Sequence, residues 1–291
     1  MVEATVIERV GVVGCGLMGS GIAEVCARAD LDVTVVEAND DALEAGRQRV
    51  EASLRRAAAS GKLAEDDALG ALGRISFSTD FQALTDRQLI VEAVVEAEDE
   101  KLEVFERLDH VLVDERAIMA SNTSSIPIMK LAMATRRPAQ VIGIHFFNPV
   151  PVLPLVEVVT SLMTSDETAD RAEAFAATVL DKHVIRSKDR AGFIVNALLV
   201  PYLLSAIRMF ESGFATAQDI DAGMTKGCAH PMGPLALSDL IGLDTTMAVA
   251  NSLYEEFKEP LYAAPPLLAR MVEAGLFGRK SGRGFYDYQK R

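Results

Sequence analysis

The stretch that most constrains this chain lies between Arg9 and Glu37. Arg9-Val-Gly-Val-Val-Gly14 is brief, β-branched and closed by glycine, the pattern of a buried strand. Gly14-Cys15-Gly16-Leu17-Met18-Gly19 follows, and Leu17 to Ala29 then sets Leu17, Ile22, Val25, Cys26 and Ala29 at helical spacing. Asp32 to Glu37, DVTVVE, reads as a second strand. Strand, helix and strand in this order make a βαβ unit. Such a unit needs a parallel pair joined by a crossover helix, which commits the chain to a helix-covered parallel sheet.

The glycines divide the labour. Gly14 permits the tight turn out of the strand, Gly16 lets a pyrophosphate approach the backbone, and Gly19 lets the helix pack near the sheet. Leu17 and Met18 open a helix whose unpaired N–H groups and partial positive charge suit phosphates. Glu37 stands 23 positions after Gly14 and can accept both ribose hydroxyls of an adenosine. The same carboxylate repels a 2′-phosphate, by up to about 4 kcal/mol at roughly 4 Å in an effective dielectric of about 20. Ala38, Asn39 and Asp40 supply no arginine to offset this. The expected cofactor is NAD. A glycine-rich structural turn is the plainer alternative, and it leaves Glu37 unexplained.

At about 150 residues per domain, 291 residues predict two domains. Asn39 or Asp40 caps a helix running to about Ala58, and Leu63 to Leu72 is a second helical stretch. Together they form a helical hairpin inserted between strands. Ser53, Arg56 and Ser60 share one face, with Arg55 and Lys62 nearby. That face suits an anionic ligand, or is simply solvated; spacing does not separate the two. Further strands are predicted at about Arg74–Phe77, Gln88–Val95, Ala117–Ser121, Gln140–Phe146, Leu155–Ser161 and Lys182–Ser187, with helices between them. Beyond about Ser187 only helical patterns remain, among them Phe193–Phe210, apolar nearly all round and predicted to be buried, with a kink at Pro201. The expected fold is α/β: a Rossmann-like, doubly wound, mostly parallel sheet with the hairpin insertion over 1–188, then an all-helical domain over 189–291.

Charge narrows the partners. Asp and Glu number 42 against 29 Lys and Arg, a net charge of −13. Such a surface repels phosphate backbones and anionic lipid, so neither nucleic acid nor membrane is expected. No apolar run reaches the length of a spanning helix. Cys15, Cys26 and Cys228 form no CxxC pair, which argues for a reducing compartment and against a thiolate metal site; no metal is expected. The N-terminus carries Glu3 and Glu8 and no basic segment before an apolar one. A cytoplasmic protein is expected.

In sheets of this kind ligands sit beyond the carboxyl ends of the strands. There the sequence places Glu96 and Lys101, then Asn122-Thr123-Ser124-Ser125, then His145-Phe-Phe-Asn148-Pro149. Of the four histidines, His110 lies among charged residues, His183 near a strand start and His230 before Pro231. His145 alone falls at a ligand-facing edge. An enzyme that moves a hydride to a nicotinamide also needs a base for the hydroxyl proton, and histidine titrates in the right range. It needs a carboxylate to orient the ring as well. Glu157, inside the apolar Leu155-Val-Glu-Val-Val159, is an acid in want of a partner. Adjacent strands would bring the two together, though spacing alone leaves that contact open.

GVVGCGLMGSGIA, VVEA followed by Lys101, SNTSSIPI, HFFNPVPVLPLVEVV, GFIVN, PMGP, GLDT and GRKSGRGFYDY span nearly the whole chain. With these motifs the sequence resembles the short-chain 3-hydroxyacyl-CoA dehydrogenase family, especially its bacterial 3-hydroxybutyryl-CoA members. The resemblance implies reversible, NAD-dependent oxidation of an L-3-hydroxyacyl-CoA to the 3-ketoacyl-CoA. It makes His145 the general acid/base, Glu157 its partner, Ser124 a hydrogen bond to the substrate oxygen and Asn196 a holder of the substrate carbonyl. It places Glu96, Lys101 and Asn148 on the nicotinamide-ribose side, Lys280 at the cofactor, and Ser53 at the CoA nucleotide, with Lys62 beside it. It also implies a homodimer through the helical domain and, for the bacterial members, short substrates. Where the family often has Asp, Glu37 is a methylene longer; where some relatives carry lysines in the hairpin, this chain has Ala-Ala-Ser60-Gly-Lys62. Two other readings compete: a β-hydroxyacid dehydrogenase, which would use a lysine acid and lack HFFNP, and a dinucleotide-binding protein without catalysis.

Overall fold

Arg9–Val13 (β1), Asp32–Val36 (β2), Ile75–Ser78 (β3), Leu89–Glu92 (β4), Ile118–Ser121 (β5), Val141–Phe146 (β6), Leu155–Thr160 (β7) and His183–Lys188 (β8) form one sheet. Their order is β3-β2-β1-β4-β5-β6-β7-β8 in a computed structural model that describes residues 7–289. Glu3 lies outside the described residues. The pairs are parallel except β6 with β7. From β1 the chain winds outward to β3, then returns to β4 on the other side of β1. This reversal opens the crevice at the ends of β1 and β4 where such sheets take their ligands.

Six helices belong with the sheet: α1 (Leu17–Arg28), α2 (Asp40–Ala59), α3 (Glu65–Gly73), α4 (Glu98–Val111), α5 (Ile128–Met133) and α6 (Asp166–Ala174). Strand residues alternate between two faces. Val10, Val12, Val33, Val35, Leu89, Val91, Ile118 and Ala120 share one core with Ile22, Val25 and Cys26 of α1 and Val50 and Leu54 of α2. Residues of the opposite parity face the other way. There Gly143 leaves room for Ile128 of α5, whose side chain a Cβ would meet at 3.1 Å. His145 and Glu157 carry this second parity, so both turn away from α1.

Local chemistry sets the boundaries. The Asn39 side chain caps α2 by accepting from Ala42 N, as its position predicts. The second hairpin helix starts at Glu65, two residues later than Leu63, with Glu65, Asp66 and Asp67 in its first turn. The strand predicted over Gln88–Val95 ends at Glu92, because the Glu92 carboxylate turns inward and accepts from Val94 N.

The chain divides at Asp189 and Arg190. The second unit holds α7 (Val195–Glu211), α8 (Ala217–Ala222), α9 (Pro234–Ile241), α10 (Leu243–Phe257) and α11 (Pro266–Glu273). Two expectations about α7 need correction. It begins at Val195 rather than Phe193, since Gly192 and Phe193 take φ of +74° and +48°. Nor is it buried all round: Leu203, Leu204 and Ile207 enter this unit's core or burial, but Leu198 is 73% exposed and Met209 half so. Asp239 accepts from Phe285 N, Tyr286 N and the Tyr288 hydroxyl, and so fastens the C-terminal segment that carries Lys280. No described helix is long and apolar enough to cross a membrane.

Candidate active site

A cavity of about 450 Å³ opens beside the glycine turn, lined among others by Gly14, Gly16, Glu37, Phe81, Val94 and Arg107. Gly14 has φ +87°, and a Cβ there would sit 2.8 Å from the Ala93 carbonyl oxygen. A Cβ on Gly19 would lie 1.8 Å from the Gly14 oxygen, so α1 can approach β1 only through glycine. Beside Gly16 nothing stands within 4 Å. Gly16 also caps α1 without a side-chain hydrogen bond, which leaves the helix N-terminus available to an anion. Glu37, at the end of β2, accepts from Cys15 N and Ala38 N and borders the cavity. Open backbone at Gly16, a free helix N-terminus and a carboxylate at the far end fit NAD. Met18, by contrast, packs against the sheet's core, and Leu17 does not line this cavity.

The proton-transfer group sits on β6. In the β6–β7 register His145 stands opposite Glu157, and directly opposed residues on one face meet side chain to side chain. His145 Nδ1 is 2.8 Å from Glu157 Oε2, with His145 4% exposed and Glu157 fully buried. A carboxylate only accepts, so Nδ1 carries the proton and Nε2 is left as an acceptor. The Ser124 Oγ lies 3.1 Å from Nε2, in position to donate to it. Phe147 packs edge-on against the imidazole at 4.7 Å between centroids. Asn122, which the sequence places at this edge without a role, accepts from Phe146 N and ties β6 to the segment carrying Ser124.

That segment is held from below. Glu96 accepts from Thr123 Oγ1, Ser124 N, Ser125 N and Ser125 Oγ. Burial pushes the Glu96 carboxyl up, but Lys101 nearby and these hydrogen bonds outweigh it and hold the group below the usual carboxylate range. Lys101 is 1% exposed and lies between Glu92, at 2.6 Å, and Glu96, at 3.3 Å.

A second cavity of about 470 Å³ is lined by Leu17, Ser20, Arg49, Ser53, Arg56 and Asn148, among others. Ser53 and Arg56 therefore do share a concave wall. Arg49, not singled out from sequence, joins them and donates to the Cys15 carbonyl of the glycine turn. Arg55 points elsewhere and pairs with Glu51. Ser60 caps the end of α2, and Lys62 follows in an exposed turn outside this wall.

Asn196 and Lys280 belong to the second unit. Asn196 lies in the first turn of α7, half-buried, and Lys280 Nζ pairs with Asp244 Oδ2 at 2.5 Å. The other histidines are elsewhere: His110 and His183 are exposed, and His230 contacts Tyr202.

A pocket suited to a dinucleotide and a buried imidazole at the same sheet edge define an NAD-dependent dehydrogenase. Comparison with known proteins makes the class specific. Residues 9–190 match the model of the 3-hydroxyacyl-CoA dehydrogenase NAD binding domain, and residues 192–288 that of the 3-hydroxyacyl-CoA dehydrogenase C-terminal domain. The chain belongs to the 3-hydroxyacyl-CoA dehydrogenase family. It is 61% identical to a 3-hydroxybutyryl-CoA dehydrogenase of Mycobacterium tuberculosis, over 97% of this chain and 99% of the relative. It is 43% identical to human mitochondrial hydroxyacyl-coenzyme A dehydrogenase, over 98% and 92%. Among solved structures, (S)-3-hydroxybutyryl-CoA dehydrogenase from Ralstonia eutropha aligns with a TM-score of 0.92 and 45% identity, over 98% of this chain and 100% of that one.

Proposed function

We propose that this enzyme interconverts 3-hydroxybutyryl-CoA and acetoacetyl-CoA, and that the Ser124–His145–Glu157 relay carries the proton. The relay is the observation on which the reading rests. In the oxidative direction His145 Nε2 takes the substrate hydroxyl proton as the C3–H bond releases its hydride. NAD, when bound, is the hydride acceptor. Glu157 keeps the proton on Nδ1 and offsets the positive charge that the ring gains. Ser124 hydrogen-bonds the reacting oxygen and presents it to Nε2. In the reverse direction the same nitrogen returns the proton.

The remaining residues take the roles their family positions suggest. Gly14, Gly16 and Gly19 form the pyrophosphate turn, Leu17 and Met18 contribute to it through the backbone at the start of α1, and Glu37 accepts from the adenosine ribose. Glu96, Lys101 and Asn148 serve the nicotinamide-ribose side, with Lys280 assigned to the cofactor from the second unit. Asn196 is assigned to the thioester carbonyl. Ser53 is assigned to the CoA nucleotide, with Lys62 reaching toward it from the exposed turn outside that wall, and Arg49 and Arg56 beside Ser53 strengthen the wall's appeal to an anion. The four-carbon substrate is supported by the names of the bacterial relatives. A homodimer through the helical unit is supported by apolar side chains that this unit leaves at its surface, Leu198 and Phe214 at 73% and 79% exposure. A cytoplasmic place in butyrate or fatty-acid metabolism accords with three free cysteines and the bacterial relatives.

The test is nicotinamide absorbance with purified protein. Acetoacetyl-CoA should oxidise NADH faster than longer 3-ketoacyl-CoAs do, and free acetoacetate should be inert. NADPH should serve poorly beside Glu37. No turnover with any 3-ketoacyl-CoA would remove the assignment.

A further inference from the structure

The strand β4 ends in an acid that neither the relay nor the cofactor pocket uses. Glu92 is fully buried, and both its oxygens are engaged. Oε1 accepts from Lys101 Nζ at 2.6 Å and Val94 N at 2.8 Å, and Oε2 accepts from Ser121 Oγ at 2.6 Å. Glu92 and Ser121 are register partners on β4 and β5, so the contact is built into the sheet. Two paths lead from this carboxylate to Ser124. Through Lys101 it reaches Glu96, whose Oε1 accepts from Ser124 N at 2.9 Å. Through Ser121 it reaches Thr123, whose N donates to Ser121 Oγ at 3.1 Å.

We propose that Glu92 is a positioning residue that sets Ser124 against His145, acting through Lys101–Glu96 and through Ser121–Thr123. Lys101 cannot be held by Glu96 alone. Glu96 is about one-third exposed and its Oε2 stands 3.3 Å from the ammonium, its Oε1 being given over to the 123–125 segment, whereas Glu92 offers a dry, fixed carboxylate at 2.6 Å on the ammonium's other side. A charge enclosed in this way needs full pairing, and full pairing leaves one arrangement of the 121–125 segment. Ser124 needs that precision, because its hydroxyl must serve both Nε2 and the substrate oxygen. Misplacement on the order of 1 Å in such a contact is worth roughly a hundredfold in rate.

The proposal rests on the dehydrogenase reading, and one set of measurements separates the two. Glu92→Gln keeps the shape and removes the charge. Its kcat for acetoacetyl-CoA reduction should fall about 10- to 100-fold, while the NADH dissociation constant, read by nicotinamide fluorescence, stays within about threefold. A merely structural lesion would multiply with any other. If Glu92 acts through Ser124, the double variant with Ser124→Ala should be no more than about threefold slower than Ser124→Ala alone. Should Glu92→Gln not fold, Glu92→Leu with Lys101→Met removes both buried charges and is read by kcat alone, since Lys101 also serves the nicotinamide-ribose side; it should show the same loss of kcat and the same failure to multiply with Ser124→Ala. The proposal is overturned if kcat stays within twofold of wild type, if the loss appears in NADH affinity instead, or if the two losses multiply. Wild-type protein that does not oxidise NADH with acetoacetyl-CoA removes the dehydrogenase reading, and this proposal with it.

Discussion

Replacing Glu157 by Gln probes the relay at its most buried point. The substitution keeps size and a hydrogen-bonding partner for Nδ1, so the β6–β7 pair should stay intact. Two things change. The carboxylate that faces the charged imidazole is gone; with charge centres roughly 4 Å apart in an effective dielectric of about 20, that interaction is worth about 4 kcal/mol, or close to a thousandfold in rate. The amide can also present an N–H to Nδ1, which moves the ring proton to Nε2 and blocks it as an acceptor. Both effects act in the transition state, so kcat and kcat/KM should fall together by roughly a thousandfold. NADH binding should hold within about threefold, since Glu157 does not border the glycine-turn cavity. The assay is steady-state NADH oxidation with acetoacetyl-CoA, with circular dichroism as the folding control. A folded variant within tenfold of wild type would refute the charge-stabilising role of Glu157.

Three further outcomes follow from other contacts. Gly19→Ala places a Cβ 1.8 Å from the Gly14 oxygen, and thermal unfolding should show a loss of about 3 kcal/mol or more, with weakened NADH binding; an unchanged Tm would mean that the α1–β1 approach is not close. Arg56→Ala should raise KM for acyl-CoA about 3- to 10-fold with kcat unchanged, the sign of lost uniform binding; equal KM would remove Arg56 from the CoA wall. Burial pushes the Asp109 carboxyl up, but hydrogen bonds from Arg136 and Arg137 outweigh it and hold the group below the usual range. A carboxyl with a lowered folded pKa contributes stability above its ordinary value, near 4, and loses it as pH falls through the folded value. Urea midpoints should therefore drop less steeply below about pH 4 in Asp109→Asn than in wild type; parallel curves would show that Asp109 contributes nothing to the acid limb.

The βαβ unit was legible in the sequence because each part is a local signal: β-branched strands, a glycine turn and helical spacing from Leu17 onward. The alternation behind it gave the mostly parallel sheet. Where side-chain chemistry overrides pattern, the boundaries moved. β4 stops at Glu92 because the carboxylate turns back on Val94 N, and α7 starts late because Gly192 and Phe193 adopt left-handed backbone. The outward face of α7 escaped notice for a simpler reason, since an apolar side chain carries no label saying whether it meets its own core. His145 and Glu157 were each visible, one at a strand end and one as an acid among valines. Their contact needed the antiparallel register of β6 and β7, which no spacing prescribes. Glu92 carried the same signal as Glu157, an acid inside Leu89-Ile-Val-Glu92, and was overlooked because no histidine lay opposite it in the sequence. Arg49 reaches the Cys15 carbonyl across 34 positions, a distance no local pattern spans.

His145→Gln tests the central claim most directly. Measured as NADH oxidation with acetoacetyl-CoA, turnover should fall ~10²- to 10⁴-fold or more, while nicotinamide fluorescence shows NADH still bound with nearly unaltered affinity. Turnover within tenfold of wild type would mean that another group moves the proton.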